Sequence, residues 1–332
     1  MAIEKIRVSI GSASVLGLNL IKLNAPPTTC YLMTYKEGHC IANCGFCPQA
    51  RDSHSSTEHL SRINWPVFPF KEFLTKLKYV SPLKKFQRIC LQTLNYPNNF
   101  NDLIEIATQI RKVSSIPISV AIPPMSKEKL KQLEAIGVQR VGIALDASTP
   151  EIFDKIKGIG VSGPYNWNDH LQSLKDAIEI FSNGFVSTHL IIGLGENQRD
   201  LLKLIEELHN LTILPSLFAF MPIKGTKFEK IEQPTLTDFR RVQLGRYLII
   251  HKNKKLEDFT FNLKGDIINI NIKKGDLRNI VDEGDAFLTS GCSGCNRPYY
   301  TSRPSGPIYN FPRKLTMEEK DEIYNQLQRF VK

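Results

Sequence analysis

The 332-residue chain has no apolar run near the roughly 20 residues that a membrane-spanning helix needs. Its apolar patch at residues 15–23 is broken by Asn19 and Lys22, with no small-residue cleavage site after it, so a cytoplasmic protein is expected. There is no basic run interleaved with aromatics and no zinc-finger spacing, so the formal net charge of +10 brings no nucleic-acid motif with it. The charge then reads as a lysine-rich solvated surface or as a docking surface for an acidic protein. Low-complexity segments are missing, as is any repeat beyond a strand–helix unit. Hydrophobic residues at 42% and charged residues at 23% are ordinary for a globular chain. The length suits one large α/β barrel with an appendage, or two small domains.

Seven cysteines are present, an odd number in close groupings, which favours metal ligation over disulfides. Cys40, Cys44 and Cys47 form a C-x3-C-x2-C site. Three thiolates can hold three corners of a 4Fe–4S cluster and leave the fourth iron open to a non-protein ligand. A structural zinc site would want a fourth protein ligand, and His39, directly beside Cys40, is badly placed to be it. Cys292-x2-Cys295 is a poor isolated disulfide and an incomplete zinc site, with no second pair near it. Cys30 and Cys90 are single cysteines on apolar segments, a pattern commoner for small core residues than for ligands.

Apolar strands alternate with amphipathic helices from residue 28 onward. The pattern predicts strands at 30–35, 86–93, 118–122, 138–145, 185–192 and 216–221. Helical faces fall between them: Leu103, Ile106, Ile110 and Val113; Leu130, Leu133 and Ile136; Leu171, Leu174, Ile178 and Phe181; then Leu202 and Ile205. A long helix is expected from about Thr237. Six strand–helix repeats imply a parallel sheet with right-handed crossovers, and in closed form a barrel with its site at the carboxyl ends of the strands. The expected organisation is an N-terminal segment (1–27), a partial or full (β/α) barrel (28–252) and a C-terminal extension (253–332). In the extension, residues 258–273 predict one or two short strands and the prolines between 298 and 307 an extended loop. Thr316 with Glu319 announces a capped final helix carrying Ile323, Leu327 and Phe330.

The C-x3-C-x2-C spacing, with Phe46 just before the last cysteine, resembles the radical S-adenosylmethionine (SAM) superfamily. That resemblance implies a SAM-binding 4Fe–4S cluster and cleavage of SAM to a deoxyadenosyl radical. Cys47-Pro48-Gln49 looks like biotin synthase and its relatives. So do Cys90 on the second strand, Leu145-Asp146 on the fourth, Ile191-Ile-Gly-Leu-Gly-Glu196 on the fifth and Lys224-Gly-Thr226 after the sixth. Carried over, these imply SAM contacts at Phe46, Gln92, Asp146, Ile192, Gly193, Gly195 and Glu196. Read alone, Gly193-Leu-Gly195 is also a plain strand-to-helix turn, does not fit the phosphate-binding glycine pattern, and Asp146 is also a plain cap.

Two cysteines that biotin synthases place on barrel strands are missing, since Ser119 and Thr188 stand in those regions. Cys292 and Cys295 would instead join Cys30 and Cys90 in a second 4Fe–4S cluster. Alternatively Ser302, Ser305, Arg297 or Arg303 would supply its last ligand. That combination, with Cys295-Asn-Arg-Pro-Tyr-Tyr300 and Pro304-Ser-Gly-Pro-Ile-Tyr309, resembles the archaeal-type two-component lipoyl synthases. The resemblance implies sulfur insertion into an octanoyl chain on an acidic lipoyl carrier protein, a paralogous radical SAM subunit, and an electron donor such as ferredoxin or flavodoxin. It implies neither nucleic acid nor membrane. The rival readings are sulfur insertion into another small molecule, a second cluster used only for electron relay, and a metal-stabilised nucleic-acid-binding module.

Overall fold

The computed structural model describes residues 3–332; residues 1 and 2 of the expected N-terminal segment lie outside the described residues. The chain runs through β1 (Lys5–Val8), α1 (Ile10–Leu16), β2 (Thr29–Thr34), β3 (His59–Leu60), β4 (Ile63–Asn64), β5 (Val67–Pro69) and α2 (Phe70–Val80). Next come β6 (Arg88–Gln92), α3 (Asn99–Val113), β7 (Ile118–Ile122), α4 (Lys127–Ala135), β8 (Val138–Ile143), α5 (Pro150–Ile156) and α6 (Trp167–Ile180). After β9 (Val186–Ile192), α7 (Gln198–Asn210), β10 (Leu214–Ala219) and α8 (Leu236–Lys252), the extension adds β11 (Phe259–Phe261), β12 (Ile267–Ile270), α9 (Lys274–Glu283) and α10 (Met317–Leu327).

Eight strands form one sheet in the order β10-β9-β8-β7-β6-β2-β1-β5. The six from β10 to β2 are parallel and match the six expected from the alternating pattern. Within the N-terminal segment, β1 pairs antiparallel with β2 and carries β5 on its other edge. Both strands are too short, at four and three residues, to show a period in sequence.

Alternation along each strand separates two environments. Leu32, Ile89, Val120, Val141 and Leu190 pack outward into one core under the helices, while Tyr31 and Met33 face a second cluster on the concave side. The sheet curls strongly: Tyr31 on β2 and Phe218 on β10, at opposite ends of the parallel run, both stack on the Arg297 guanidinium, 5.5 and 5.3 Å from their ring centroids. The barrel is partial, since β10 and β5 are free edges.

Side chains that reach back stitch the extension to the barrel. Arg240 on α8, buried, donates to the carbonyls of Ile308 and Tyr309 and to Gln243. Asn310 donates to the Leu217 carbonyl on β10 at 2.9 Å, and the Leu217 N–H donates to Ser290 at 2.8 Å. The α10 capping box forms as expected, with Thr316 and Glu319 exchanging bonds. Arg240→Ala strands the Ile308 carbonyl, leaves Tyr309 O only the Gln243 amide, and removes a guanidinium whose pKa burial already pushes down to about 10. It is expected to cost about 3 kcal/mol in urea unfolding and to speed proteolysis within residues 298–307.

Candidate active site

The first cysteine loop leaves the carboxyl end of β2 and is fixed by its own backbone. Cys40 N–H donates to Gln49 O, Cys47 N–H to Cys44 O, and Arg51 N–H to Ala42 O. The Asn43 side chain ties the loop to Asp52 and to Val161 O. Gly45 is required by close approach, since a Cβ there would lie 2.6 Å from the Phe228 ring. Cys40, Cys44 and Cys47 all line a cavity of about 240 Å³ at the mouth of the barrel. Burial pushes the Cys44 thiol up to about 12 and raises Cys40 and Cys47, so ligation has to displace their protons.

Phe46, Gln92 and Asp146 line the same cavity. Asp146 sits in the left-handed region at φ 62°, a strain of about 1–3 kcal/mol in a non-glycine residue. Three contacts hold it there: its N–H donates to His189 O at 2.7 Å, its carbonyl accepts from Ile191, and its carboxylate accepts from Lys157 at 2.8 Å. Lys157 is buried, also donates to Ala144 O, and lies over the Phe153 and Tyr165 rings. Tyr165 and His170 complete this wall. Sequence reasoning missed Lys157, Tyr165 and His170, whose only signal was a lysine in the glycine-rich turn that ends α5.

The fifth-strand expectation needs correcting. Ile192 faces the helix layer, and Ile191 lines the cavity in its place. Gly193, Gly195 and Glu196 are absent from the cavity wall; they form a turn in which the Glu196 carboxylate accepts from the Gly193 and Leu194 N–H groups. Thr188 also faces outward, its hydroxyl accepting from Leu145 N–H. The concave positions on β9 are Ser187, His189 and Ile191.

The second cysteine set enters from the other end of the barrel. The Gly294 carbonyl accepts from the hydroxyls of Thr28 and Thr29, where β2 begins. Gly294 has φ 78° and would put a Cβ 2.3 Å from Gln87 Oε1, so only glycine fits this turn. Tyr31 is the hub: its hydroxyl accepts from Arg297 N–H at 2.8 Å and lies 3.3 Å from Cys295 Sγ. Cys90 pairs with Tyr31 across the β2–β6 ladder and with Ser119 across β6–β7. Burial pushes Cys90 up to about 12; Arg297 opposes the shift while Cys292 and Cys295 add to it, so both lie within electrostatic reach of Cys90.

Two expected ligands fall away. Cys30 is wholly buried in the outer core, because alternation turns it to the face opposite Tyr31. Ser305 is exposed on the proline-rich loop, and the buried Ser302 hydroxyl is spent accepting from Tyr309 N–H. Arg297, one of the alternatives for the last ligand, is beside the thiols: burial opposes its charge, yet Tyr300, Cys90, Cys295 and Tyr31 raise its pKa above the ordinary value.

Among the described residues no three Cys, His, Asp or Glu side chains close around one point, as a lone zinc ion with sulfur at about 2.3 Å would require. Cys40, Cys44 and Cys47 instead all border open cavity space, which leaves room for a larger polynuclear group. Buried donors without partners point the same way: Arg88 Nε, Arg140 Nε and NH1, and Gln92 Nε2, all on concave positions of β6 and β8. Arg88 lies within electrostatic reach of Cys292, Cys90 and Cys295. Such orphaned cationic donors call for an anionic guest.

Residues 38–208 match the family described as the radical SAM superfamily. The chain is 28% identical over 206 residues to a biotin synthase of Methanococcus aeolicus, covering 60% of this chain and 57% of that protein. It is 25% identical over 248 residues to a biotin synthase of Campylobacter hominis, covering 72% and 71%. The chain thus spans little more than half the length of the first relative. Among solved structures, the FeFe-hydrogenase maturase HydG from Carboxydothermus hydrogenoformans aligns with TM-score 0.53 at 16% identity, over 91% of this chain and 67% of that one. Methylornithine synthase aligns with TM-score 0.50 at 15% identity, over 66% and 62%. These structural likenesses concern the fold alone.

His170 gives a pH signature. Burial, helped by Lys157, pushes its ring down to about 2, so it stays neutral in the folded state while the unfolded chain protonates it below about pH 6.5. Stability is therefore lost as pH falls through that range, by about 2 kcal/mol at pH 5. His170→Gln is expected to lose that much less between pH 7 and pH 5 in urea unfolding; an unchanged loss would mean that the folded ring takes up the proton.

Proposed function

The chain belongs to the radical SAM superfamily and is related to biotin synthases, and from that premise we propose that it inserts sulfur into the octanoyl chain of an acidic lipoyl carrier. In this reading it is one component of a two-protein lipoyl synthase. Cys40, Cys44 and Cys47 would hold one 4Fe–4S cluster with SAM, and Cys90, Cys292 and Cys295 a second, with Arg297 beside them. When bound, the first cluster and SAM supply a deoxyadenosyl radical that takes hydrogen from an unactivated carbon, and the second cluster supplies sulfide.

The observation that carries this reading is that both cysteine sets approach one concave face: Cys40, Cys44 and Cys47 line the mouth cavity, and its wall residues Arg297 and Tyr300 lie within electrostatic reach of Cys90. The chain's own residues have distinct tasks. Asp146, held by Lys157, presents an acceptor to a ribose hydroxyl, and Gln92 contributes an unpartnered amide N–H. The aromatic walls of Phe46, Tyr165 and Phe220 exclude water that would quench a radical. Tyr31 holds Cys295 in place, and the Arg88 guanidinium lies within reach to balance negative charge around Cys90, Cys292 and Cys295.

The biotin synthase relatives favour a second reading, sulfur insertion into a small free substrate. Against the biotin reaction itself stand Ser119 and the pair Ser187 and His189, at concave positions in the regions where the resemblance calls for cysteine.

Anaerobic reconstitution followed by incubation with SAM, reductant and an octanoylated carrier peptide, with and without a paralogous subunit, tests the proposal. The expected result is about eight irons per chain and a thiolated peptide formed at the expense of one cluster. Cys295→Ala is expected to halve the iron and abolish thiolation while leaving deoxyadenosine formation intact. Deoxyadenosine without thiolation by the wild-type chain, in the paralogue's presence, would favour the relay reading instead.

A further inference from the structure

Between α5 and α6 the chain makes a glycine-rich turn, Lys157-Gly-Ile-Gly-Val-Ser-Gly163, that folds tightly over the end of α5. A Cβ at Gly163 would lie 2.1 Å from Lys157 O, and one at Gly160 would lie 2.9 Å from Asp154 O. Lys157 itself is 4% exposed. The same turn carries the first cysteine loop. Asn43 Nδ2 donates to Val161 O at 2.6 Å, and Gly45 N–H donates to Ile156 O at 2.8 Å. Asn43 and Gly45 are the two neighbours of Cys44, and they grip the chain on either side of Lys157. Backbone contacts on both sides therefore fix Lys157 relative to Cys44. Its ammonium donates to Ala144 O at 2.7 Å and to the Asp146 carboxylate at 2.8 Å, and it borders the mouth cavity together with the three cysteines.

We propose that Lys157 is a positioning residue that sets how easily the first cluster is reduced, with Asp146 acting in the opposite sense. This rests on the superfamily membership and on the first triad alone, so it stands apart from the sulfur-insertion reading. The electron comes from an external one-electron reductant, and no bond is made or broken in that step. Adding an electron to a cluster held by three thiolates increases its negative charge, and its potential depends on the charge around it. A buried ammonium held at a fixed place favours the reduced form, and a buried carboxylate disfavours it. The two ends of the ion pair act unequally. Burial raises the Cys44 thiol; Lys157 is the strongest influence against that rise, ahead of the contribution by which Asp146 adds to it. At Cys47, too, Asp146 adds to the rise that burial causes. Lys36, the cation within reach of Cys40, is only half-buried and donates to Glu37 O, so solvent screens it. Lys157 is the cation that water does not screen.

The test uses the anaerobically reconstituted full chain, with the midpoint potential followed by electron paramagnetic resonance in the absence of SAM. The signal that changes when SAM is added afterwards is assigned to the first triad. Lys157→Met is expected to lower the potential enough to change the reduction equilibrium at least tenfold, or 59 mV for one electron. Asp146→Asn is expected to raise it, and asparagine tolerates the left-handed backbone at this position. The double substitution is expected to fall between the two single ones, and Lys157→Arg to stay close to the wild type. Iron content equal to that of the wild type shows that each variant folds and loads. Loosening of the cysteine loop would move both single variants in the same direction, so opposite signs identify an electrostatic role. A shift of both in one direction, or of neither, would overturn the proposal. Should Lys157→Met fail to load, Asp146→Asn decides alone, and a potential that does not rise would overturn it. Thiolation enters none of these measurements, so the outcome is independent of whether the chain inserts sulfur.

Discussion

The Tyr31 hydroxyl is the joint on which the interior of this molecule depends. It accepts from the backbone of Arg297 and meets Cys295, and so fastens the C-terminal loop to a strand near the beginning of the chain. A buried phenol needs a partner, and a buried loop needs its N–H groups satisfied; one contact answers both demands. Asn296 repeats the device one residue earlier, accepting from Thr28 N–H and donating to Pro26 O. Without these bonds Cys292 and Cys295 would be surface thiols on a turn. With them, the thiols stand beside Cys90.

Charge inside the barrel is lopsided. Lys157 has Asp146 as its partner, but Arg88, Arg140 and Arg297 form no ion pair among the described residues. Unpaired buried cations are costly unless something anionic joins them. Thiolates around iron and sulfide are such a partner, whereas three protonated thiols are not. The same imbalance weighs against the idea of a zinc-stabilised binding module, whose cysteines would carry their compensation on the metal.

Much of this was legible in the sequence, and the failures have physical causes. The six parallel strands and their helices follow from apolar period, and the first cysteine loop is local in sequence, so its spacing states its chemistry. The antiparallel edge was hidden because β1 and β5 are too short to show alternation. Cys30 and Cys90 looked equivalent on paper; what separates them is strand phase, since Tyr31, the residue next to Cys30, is the one in register with Cys90 on the concave face. The same one-residue phase exchanges Ile192 for Ile191 and Thr188 for Ser187 and His189. Lys157 carried no motif at all, because its role comes from folding back onto Asp146.

The Tyr31–Arg297 contact spans 266 residues of sequence. At roughly 5–20 residues per second of synthesis, the interval between the two is on the order of ten to fifty seconds. Through that interval the nascent barrel is a vessel without a floor. The bottom stays open until Arg297 has emerged and met Tyr31, and until then any inorganic cargo destined for it has a free path.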